Sequence, residues 1–395
     1  NMERIMGSEE LEILKELIET QDLCRLNQVK SGKSYASQFE EEFADYINTK
    51  HALMLNTGSA ALHAAVAASE IGPGDEVICT PYSYIASSVC VLQNNAIPVF
   101  ADVDPNTFLI NPLDIEKKIN ERTKAIIPVH IFGYPADMDR IMSIANKYKL
   151  IVIEDACQAY GSKYKGKAVG TIGHFGCFSL QQSKHITCGE GGILVCNDDN
   201  LFDKASLISN YGQYMHKLHY HYLTGWNYRP SELQAAVAIA QLRKIEKFNK
   251  KRKEFIKIIY EYLTDIDQIK FFPPNQKAEI NWWLFPIIYN ESRTELKFSK
   301  FKEKCLEKNL SSIIFDYIPR PNYLEEIFTK KPIYKHGGPF TSNWYKKEVE
   351  YKGNLCPNLE KALPYLFLIH IHHLKSFGEI KSTVIEMRNI LIGRN

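Results

Sequence analysis

Short apolar runs alternate with amphipathic stretches through the first half of the chain. The runs are continuous and rich in branched residues, which is typical of buried strands in a parallel sheet. Between them, apolar residues recur at helical spacing. The pattern predicts strands at residues 52–55, 76–79, 98–102, 125–129 and 151–154, and helices at 60–69, 84–93 and 136–149. We therefore expect an α/β fold with a mostly parallel sheet flanked by helices.

The pattern changes in the second half of the chain. Residues 231 to about 265 are predicted to form one long helix, with Lys and Glu on one side. Beyond it the pattern predicts short strands and helices at 282–289, 298–306, 311–315 and 376–391. We predict a large domain over residues 1–250, with an N-terminal helix and the α/β sheet, and a smaller C-terminal α+β domain over 251–395.

Length, charge and cysteine content indicate what size of core, which partners and which compartment to expect. The 395 residues can bury one large core and a second smaller one, and the net charge of +2 gives no reason to expect nucleic acid or an anionic membrane. No apolar run approaches the roughly 18 residues of a membrane span, and the first residues show no secretory pattern. Nine scattered cysteines without a CxxC pair are typical of free thiols, so we expect a cytoplasmic protein.

One lysine stands between an apolar run and a glycine turn. Lys184 follows residues 178–183 (FSLQQS) and precedes residues 188–192 (CGEGG). A partly desolvated lysine amine can lose its proton and form an imine with an aldehyde. The glycines allow a turn with positive φ and a close approach to a bulky ligand. Taken alone, the segment fits a β-hairpin with an exposed lysine equally well.

Three further positions suit a phosphate and a planar ring. Gly58 and Ser59 open an alanine-rich helix, whose free N–H groups suit a phosphate, although an ordinary N-cap gives the same pattern. Asp155 ends a buried strand and could hold a proton on a heteroaromatic nitrogen, or else cap a helix or form a buried ion pair. Tyr84 could stack on a ring or be a core aromatic. Pyridoxal 5′-phosphate can use all of these groups together with Lys184.

With these residues the chain resembles the DegT/DnrJ/EryC1/StrS family of sugar aminotransferases, which have the aspartate aminotransferase-like fold type I. The resemblance covers nearly the whole chain and is densest from residue 34 to 250. It rests on residues 37–43 (SQFEEEF), 56–62 (NTGSAAL), 128–138, 154–159 (EDACQA), 184–192 (KHITCGEGG), 225–229 (GWNYR) and 232–236 (ELQAA).

The resemblance implies a pyridoxal-5′-phosphate-dependent transaminase. Its amino donor would be L-glutamate or L-glutamine, and its acceptor a keto-sugar. Lys184 would form the imine with the cofactor and act as general base, while Asp155 would pair with the pyridine nitrogen. Gln158 would contact the phenolic oxygen of the ring, and Tyr84 would stack on the ring.

The resemblance also implies how the phosphate is held and how subunits assemble. Gly58, Ser59 and Ser179 would bind the phosphate within one chain. Asn227 would reach the phosphate of the neighbouring subunit. The implied assembly is therefore a homodimer with two composite active sites.

The acceptor remains open between two classes of sugar. Most relatives aminate a nucleotide-linked hexose in amino-sugar biosynthesis, whereas residues 180–184 and 355–357 resemble members that aminate free keto-sugars or keto-cyclitols. Arg229, Arg320 and the basic run 250–253 could meet a diphosphate, although exposed lysines on a helix usually form a solvated face.

Other functions are also weighed against transamination. Some relatives are sugar dehydratases with a His-His pair where this chain has Lys184 and His185, so the lysine favours transamination. His185 then packs in the interior or contacts substrate. A non-catalytic cofactor-binding sensor or scaffold is a third hypothesis. Two histidine groups could suggest a metal, but carboxylates at ligand spacing are missing and we expect none; the groups are His216, His219, His221 and His370, His372, His373.

Overall fold

A seven-stranded sheet forms the largest layer of the protein. The structure is a computed structural model that describes residues 6–26, 34–217, 219–331 and 338–394. Strand Gly192–Cys196 runs antiparallel to both neighbours, and the other pairs in this sheet are parallel. From one edge to the other the strands are His51–Leu55, Gly192–Cys196, Phe175–Ser179, Ile151–Asp155, Thr123–Ile127, Glu76–Cys79 and Ile97–Phe100.

The five strands predicted for the first half all form, with ends that differ by at most two residues. Their nearly complete burial explains the continuous apolar runs. The helices of this half are Ser8–Thr20, Tyr35–Ile47, Gly58–Ala68, Ala86–Gln93, Pro112–Lys118, Met138–Tyr148 and Asp199–Ile208, with a short 3-10 helix at Ile131–Gly133. The predicted α/β class with a mostly parallel sheet is confirmed.

The prediction of one long helix over 231–265 is wrong. Two helices form, Glu232–Arg243 and Ile245–Leu263, and Lys244 between them has φ −99° and ψ −2°. The first one begins where the sequence suggested, because the Ser231 hydroxyl accepts from the N–H of Gln234 in a capping box. At the junction the Lys244 ammonium pairs with Glu10 of the N-terminal helix. This tertiary contact accompanies the break between the two helices. No Gly or Pro in the sequence marks the break.

A second sheet of four antiparallel strands lies in the C-terminal part. Its order is Ile269–Phe271, Phe285–Tyr289, Leu366–Ile369 and Ile313–Phe315. Strands Ile269–Phe271 and Leu366–Ile369 were not predicted from the sequence. The helices are Phe298–Glu307, Glu326–Thr329, Pro357–Ala362 and Phe377–Leu391, with 3-10 helices at Glu291–Arg293, Asn322–Leu324 and Leu363–Tyr365. Three short strands form a small third sheet, Ala278–Glu279, Lys163–Tyr164 and Lys167–Ala168.

The two larger sheets are connected by helix Ile245–Leu263, which packs against Phe377–Leu391. The predicted domain division at residue 250 falls inside this helix and stays a prediction. All nine cysteines lie in the described residues as free thiols. None of the helices in the described ranges combines the length and the apolar character that crossing a membrane requires.

Candidate active site

A cavity of about 340 Å³ lies where helix Gly58–Ala68 begins and strands Ile151–Asp155 and Phe175–Ser179 end. This is the edge of a parallel sheet at which open α/β folds bind ligands. Seven of the eight residues predicted for the site line the cavity: Gly58, Ser59, Tyr84, Asp155, Gln158, Ser179 and Lys184.

The helix N-terminus forms one end of the cavity. Thr57 is its N-cap, and its hydroxyl accepts from the N–H of Ala60 at 3.0 Å. In the described part of the chain the N–H groups of Gly58 and Ser59 have no acceptor, which leaves them for a ligand. A Cβ on Gly58 would lie 2.9 Å from the Cβ of Ser179, so glycine lets this serine reach the helix start. These groups form a cradle suited to a phosphate.

Asp155 lies deeper in the cavity and its carboxylate is held by two donors. The hydroxyl of Ser87 donates to Oδ2 at 2.6 Å, and the N–H of Cys157 donates to Oδ1 at 3.1 Å. The side chain is only 5% exposed and has no ion pair with a described residue. A carboxylate fixed in this way can accept a hydrogen bond from a protonated ring nitrogen.

The orientation of Gln158 is fixed by the main chain. The N–H of Phe132 donates to Oε1 of Gln158 at 2.8 Å. The amide NH2 group is therefore the part of this buried side chain that remains for a ligand. It can donate to an oxygen on a bound ring.

Lys184 lies in the connection between strands Phe175–Ser179 and Gly192–Cys196, which do pair as a hairpin. The lysine is half-buried and lines the cavity, so the alternative of an exposed hairpin lysine is wrong. Its Nζ lies 3.8 Å from the ring centroid of Trp283. Burial lowers the pKa of Lys184, and the nearby Cys157 and Asp155 act in the opposite direction.

Tyr84 stands at the edge of the cavity. The predicted helix begins two residues later, at Ala86, and the tyrosine side chain is 64% exposed. The alternative of a core aromatic is therefore wrong. Tyr317, from the C-terminal part, also lines the cavity.

Asn227 is the one predicted site residue outside the cavity. It is exposed, and its carbonyl oxygen lies 3.5 Å from Nδ2 of Asn56. This surface position leaves its predicted contact with a neighbouring subunit untested.

Three of the basic side chains suggested for a diphosphate are bonded to other groups of the protein. Arg229 donates to Oδ1 of Asn210 at 2.6 Å, and Arg320 pairs with Glu325 at 2.8 Å. Arg252, from the run 250–253, is buried and donates to main-chain carbonyl oxygens. Lys250 and Lys253 of the same run are exposed, as expected for a solvated helix face.

His185, His372 and His373 pack in the interior of the protein. His185 is fully buried beside Tyr160, and no described residue bonds to either of its ring nitrogens. His373 stacks on Phe248 at 4.0 Å and on His372 at 4.2 Å. Within the described ranges no group of three or more His, Cys, Asp or Glu side chains is placed to hold a metal ion.

Several cavity residues were not predicted from the sequence. Thr57 had a usable signal, since threonine before an alanine-rich helix is a preferred N-cap. Ser87 and Trp283 had none. The serine lies inside a helix, and the tryptophan precedes a strand of the other sheet, so only the tertiary fold brings them to Asp155 and Lys184.

Comparison with known proteins agrees with this geometry. The family model described as the DegT/DnrJ/EryC1/StrS aminotransferase family matches residues 10–358, and the chain belongs to that family. Aminotransferases of this family use pyridoxal 5′-phosphate, and the phosphate cradle, the fixed carboxylate and the half-buried lysine fit it. The predictions of a transaminase and of this cofactor are confirmed.

The chain is similar to two proteins named GDP-perosamine synthase. The protein from Escherichia coli O157:H7 is 35% identical over 307 residues, which are 77% of this chain and 83% of that protein. The protein from Caulobacter vibrioides is 43% identical over 218 residues, 55% of this chain and 59% of that protein. The crystal structure of S. venezuelae DesV has a TM-score of 0.84 at 26% identity, covering 97% of this chain and 94% of that one. This likeness confirms the predicted fold type I.

Proposed function

We propose that this aminotransferase moves the amino group of L-glutamate or L-glutamine to a nucleotide-linked keto-sugar in amino-sugar biosynthesis. The observation that carries transamination is the half-buried Lys184 in one cavity with Asp155 and the phosphate cradle. The similarity to two proteins named GDP-perosamine synthase, 35% and 43% identical, supports a nucleotide-linked sugar as acceptor.

Lys184 has the central role in this proposal. Bound pyridoxal phosphate would supply an electron sink for the Cα of the amino donor. Nζ of Lys184 would take the proton from Cα and return it to the reacting carbon of the cofactor. A general base must be partly neutral at working pH, and the lowered pKa of Lys184 supports this role.

The other residues hold and orient the cofactor. Asp155 would keep a proton on the ring nitrogen, and the NH2 group of Gln158 would donate to the ring oxygen. The N–H groups of Gly58 and Ser59 and the hydroxyl of Ser179 would bind the phosphate, where the positive end of the helix dipole favours negative charge.

We also propose a homodimer with composite sites, located in the cytoplasm. The exposure of Asn227 and of Tyr84 at the cavity edge supports a second subunit that completes the site. The nine free thiols support a reducing compartment. The division into domains at residue 250 is part of the same proposal.

The test is an acceptor screen followed by mass spectrometry of the products. The enzyme is loaded with pyridoxal phosphate and L-glutamate or L-glutamine, and then receives a nucleoside-diphosphate-linked keto-hexose or a free keto-cyclitol. An amine formed only on the nucleotide-linked sugar supports the proposal. An amine formed only on the free cyclitol selects the alternative acceptor, and loss of oxygen without amine transfer selects a dehydratase.

A further inference from the structure

The Lys184 amine has an unusual neighbour for a half-buried cation. Its Nζ lies 3.8 Å from the ring centroid of Trp283, and among the described residues it forms no ion pair or hydrogen bond. The indole is 4% exposed, and the half-buried lysine meets it inside the cavity. An ammonium over an indole face is attracted by the ring quadrupole, most strongly when desolvated.

The indole is held in place by contacts on both sides of its residue. The N–H of Trp283 donates to the carbonyl oxygen of Phe132 at 2.7 Å, and the indole Nε1–H donates to that of Ser183 at 2.7 Å. Ser183 directly precedes Lys184, so the second bond ties the ring to the lysine segment itself. The ring of Tyr317 packs nearly perpendicular to the indole, with the centroids 5.8 Å apart.

A third anchor comes from Arg252. Its Nη1 donates to the carbonyl oxygens of Trp283 at 2.9 Å and Trp282 at 3.3 Å. The arginine is buried and has no carboxylate partner in the described part of the chain. Its hydrogen bonds are thus directed to the main chain that carries the indole.

We propose that Trp283 is a positioning residue for Lys184. The indole face of Trp283 holds the free amine of Lys184 in the cavity whenever this amine is not bonded to the cofactor. This proposal rests on the role of Lys184 proposed above. A carboxylate in the same place would favour the ammonium strongly and keep the amine protonated. An indole face holds the ammonium more weakly and accepts no proton, so the amine stays in place and can still act as a base.

The experiment measures the pKa of Lys184 in the apoprotein. The protein is labelled with acetic anhydride over a range of pH, and the acetylated fraction of Lys184 is read by peptide mass spectrometry. Exposed Lys167 is read in the same spectra as an internal reference. The informative pair is Trp283→Phe and Trp283→Leu, because both shrink the side chain but only the first keeps an aromatic face.

We expect the pKa of Lys184 to be higher in Trp283→Phe than in Trp283→Leu, by about 0.5 to 1. Trp344→Leu, which removes an exposed tryptophan, should leave it unchanged. Equal values in the two Trp283 variants, or a higher one in Trp283→Leu, would overturn the proposal. If Trp283→Leu does not fold, Trp283→Phe is compared with the natural protein, and an equal or higher pKa in the variant overturns it. The measurement needs neither cofactor nor transfer activity, so it fails independently of the proposed function.

Discussion

Glu154 and Asp155 are neighbours at the end of one strand, yet their carboxylates have different surroundings. Because side chains alternate along a strand, they lie on opposite faces of the sheet. Glu154 accepts from the N–H groups of Gly170, Ile172 and Gly173 at 2.5–2.8 Å and contacts Nε2 of His130 at 2.9 Å. Asp155 accepts from two donors and faces the cavity.

Lys184 and His185 form a second pair of this kind. The lysine lines the cavity, whereas the histidine is fully buried, and burial holds its pKa well below the usual range. In each pair the cavity residue keeps hydrogen-bonding capacity for a ligand. Glu154 has used its hydrogen-bonding capacity within the fold, and His185 is buried and stays uncharged. Position in the lining of the cavity, together with unused hydrogen-bonding capacity, therefore distinguishes the functional residue from the structural one.

The largest effect is expected on the structural side of the first pair. In Glu154→Ala three backbone N–H groups and the ring N–H of His130 lose their buried acceptor. We expect the free energy of unfolding to fall by about 3–5 kcal/mol. Urea denaturation measures this, and a loss below about 1 kcal/mol would show that Glu154 is not structural.

The substitution Asp155→Asn, on the functional side of the pair, should lower the rate of amino transfer and leave stability nearly unchanged. Asparagine keeps the size of the side chain but cannot pair as an anion with a protonated ring nitrogen. We expect the rate of amino transfer to fall roughly 10²–10³-fold, while the free energy of unfolding changes by less than about 1 kcal/mol. Steady-state kinetics and denaturation are measured on the same preparation. A stability loss like that of Glu154→Ala with an unchanged rate would contradict the distinction.

Two buried histidines, His372 and His373, should make stability depend on pH. Burial and nearby Arg252 lower the pKa of His372 to about 3 and that of His373 to about 2. In the unfolded chain these histidines have the ordinary pKa of about 6.5. Below that pH the unfolded chain therefore binds more protons than the folded protein, in which they stay neutral. The contribution of these histidines to the free energy of unfolding should therefore be fully present above about pH 6.5. It should fall with acidification, by up to about 1.4 kcal/mol per pH unit for each histidine.

His373→Phe tests the assignment of this pH dependence. Phenylalanine can keep the stack on Phe248 and removes one titrating group. The slope of the free energy of unfolding between pH 6.5 and about pH 4 should then fall by up to about 1.4 kcal/mol per pH unit. An unchanged slope would assign the acid sensitivity to other groups.

The smallest effect is expected for His185→Leu. The ring bonds to no described residue, so an apolar side chain of similar size removes an unsatisfied buried polar group. We expect a transfer rate within about threefold of the natural protein, a difference below about 0.7 kcal/mol, and equal or slightly higher stability. A tenfold loss of rate would show instead that His185 contacts the substrate or the lysine.

The sequence predicts those parts of the molecule that local pattern determines. Strands such as Glu76–Cys79 are found because burial on both faces selects a continuous apolar run. Asp155 and Gly58 are found because each stands at the end of an element, at the binding edge of the sheet. Lys184 is found because it lies in a connection whose glycine turn is visible in the sequence.

What the sequence does not predict depends on contacts between distant segments. The helix break at Lys244 accompanies a pairing with Glu10, and local propensity favours a continuous helix there. The contact of Trp283 with Lys184 joins residues 99 positions apart, and neither segment carries a pattern for it. Ser87 reaches Asp155 only because its helix packs over the sheet.

The most direct test of the central claim is an absorbance spectrum of the purified protein with pyridoxal phosphate, before and after L-glutamate or L-glutamine. The natural protein should show the band of a lysine imine near the visible edge, and the donor should bleach it. Lys184→Ala should not form this lysine imine and should transfer no amino group, while Lys167→Ala behaves like the natural protein. A protein that takes up no cofactor, or a Lys184→Ala variant that still transfers the amino group, would contradict the account.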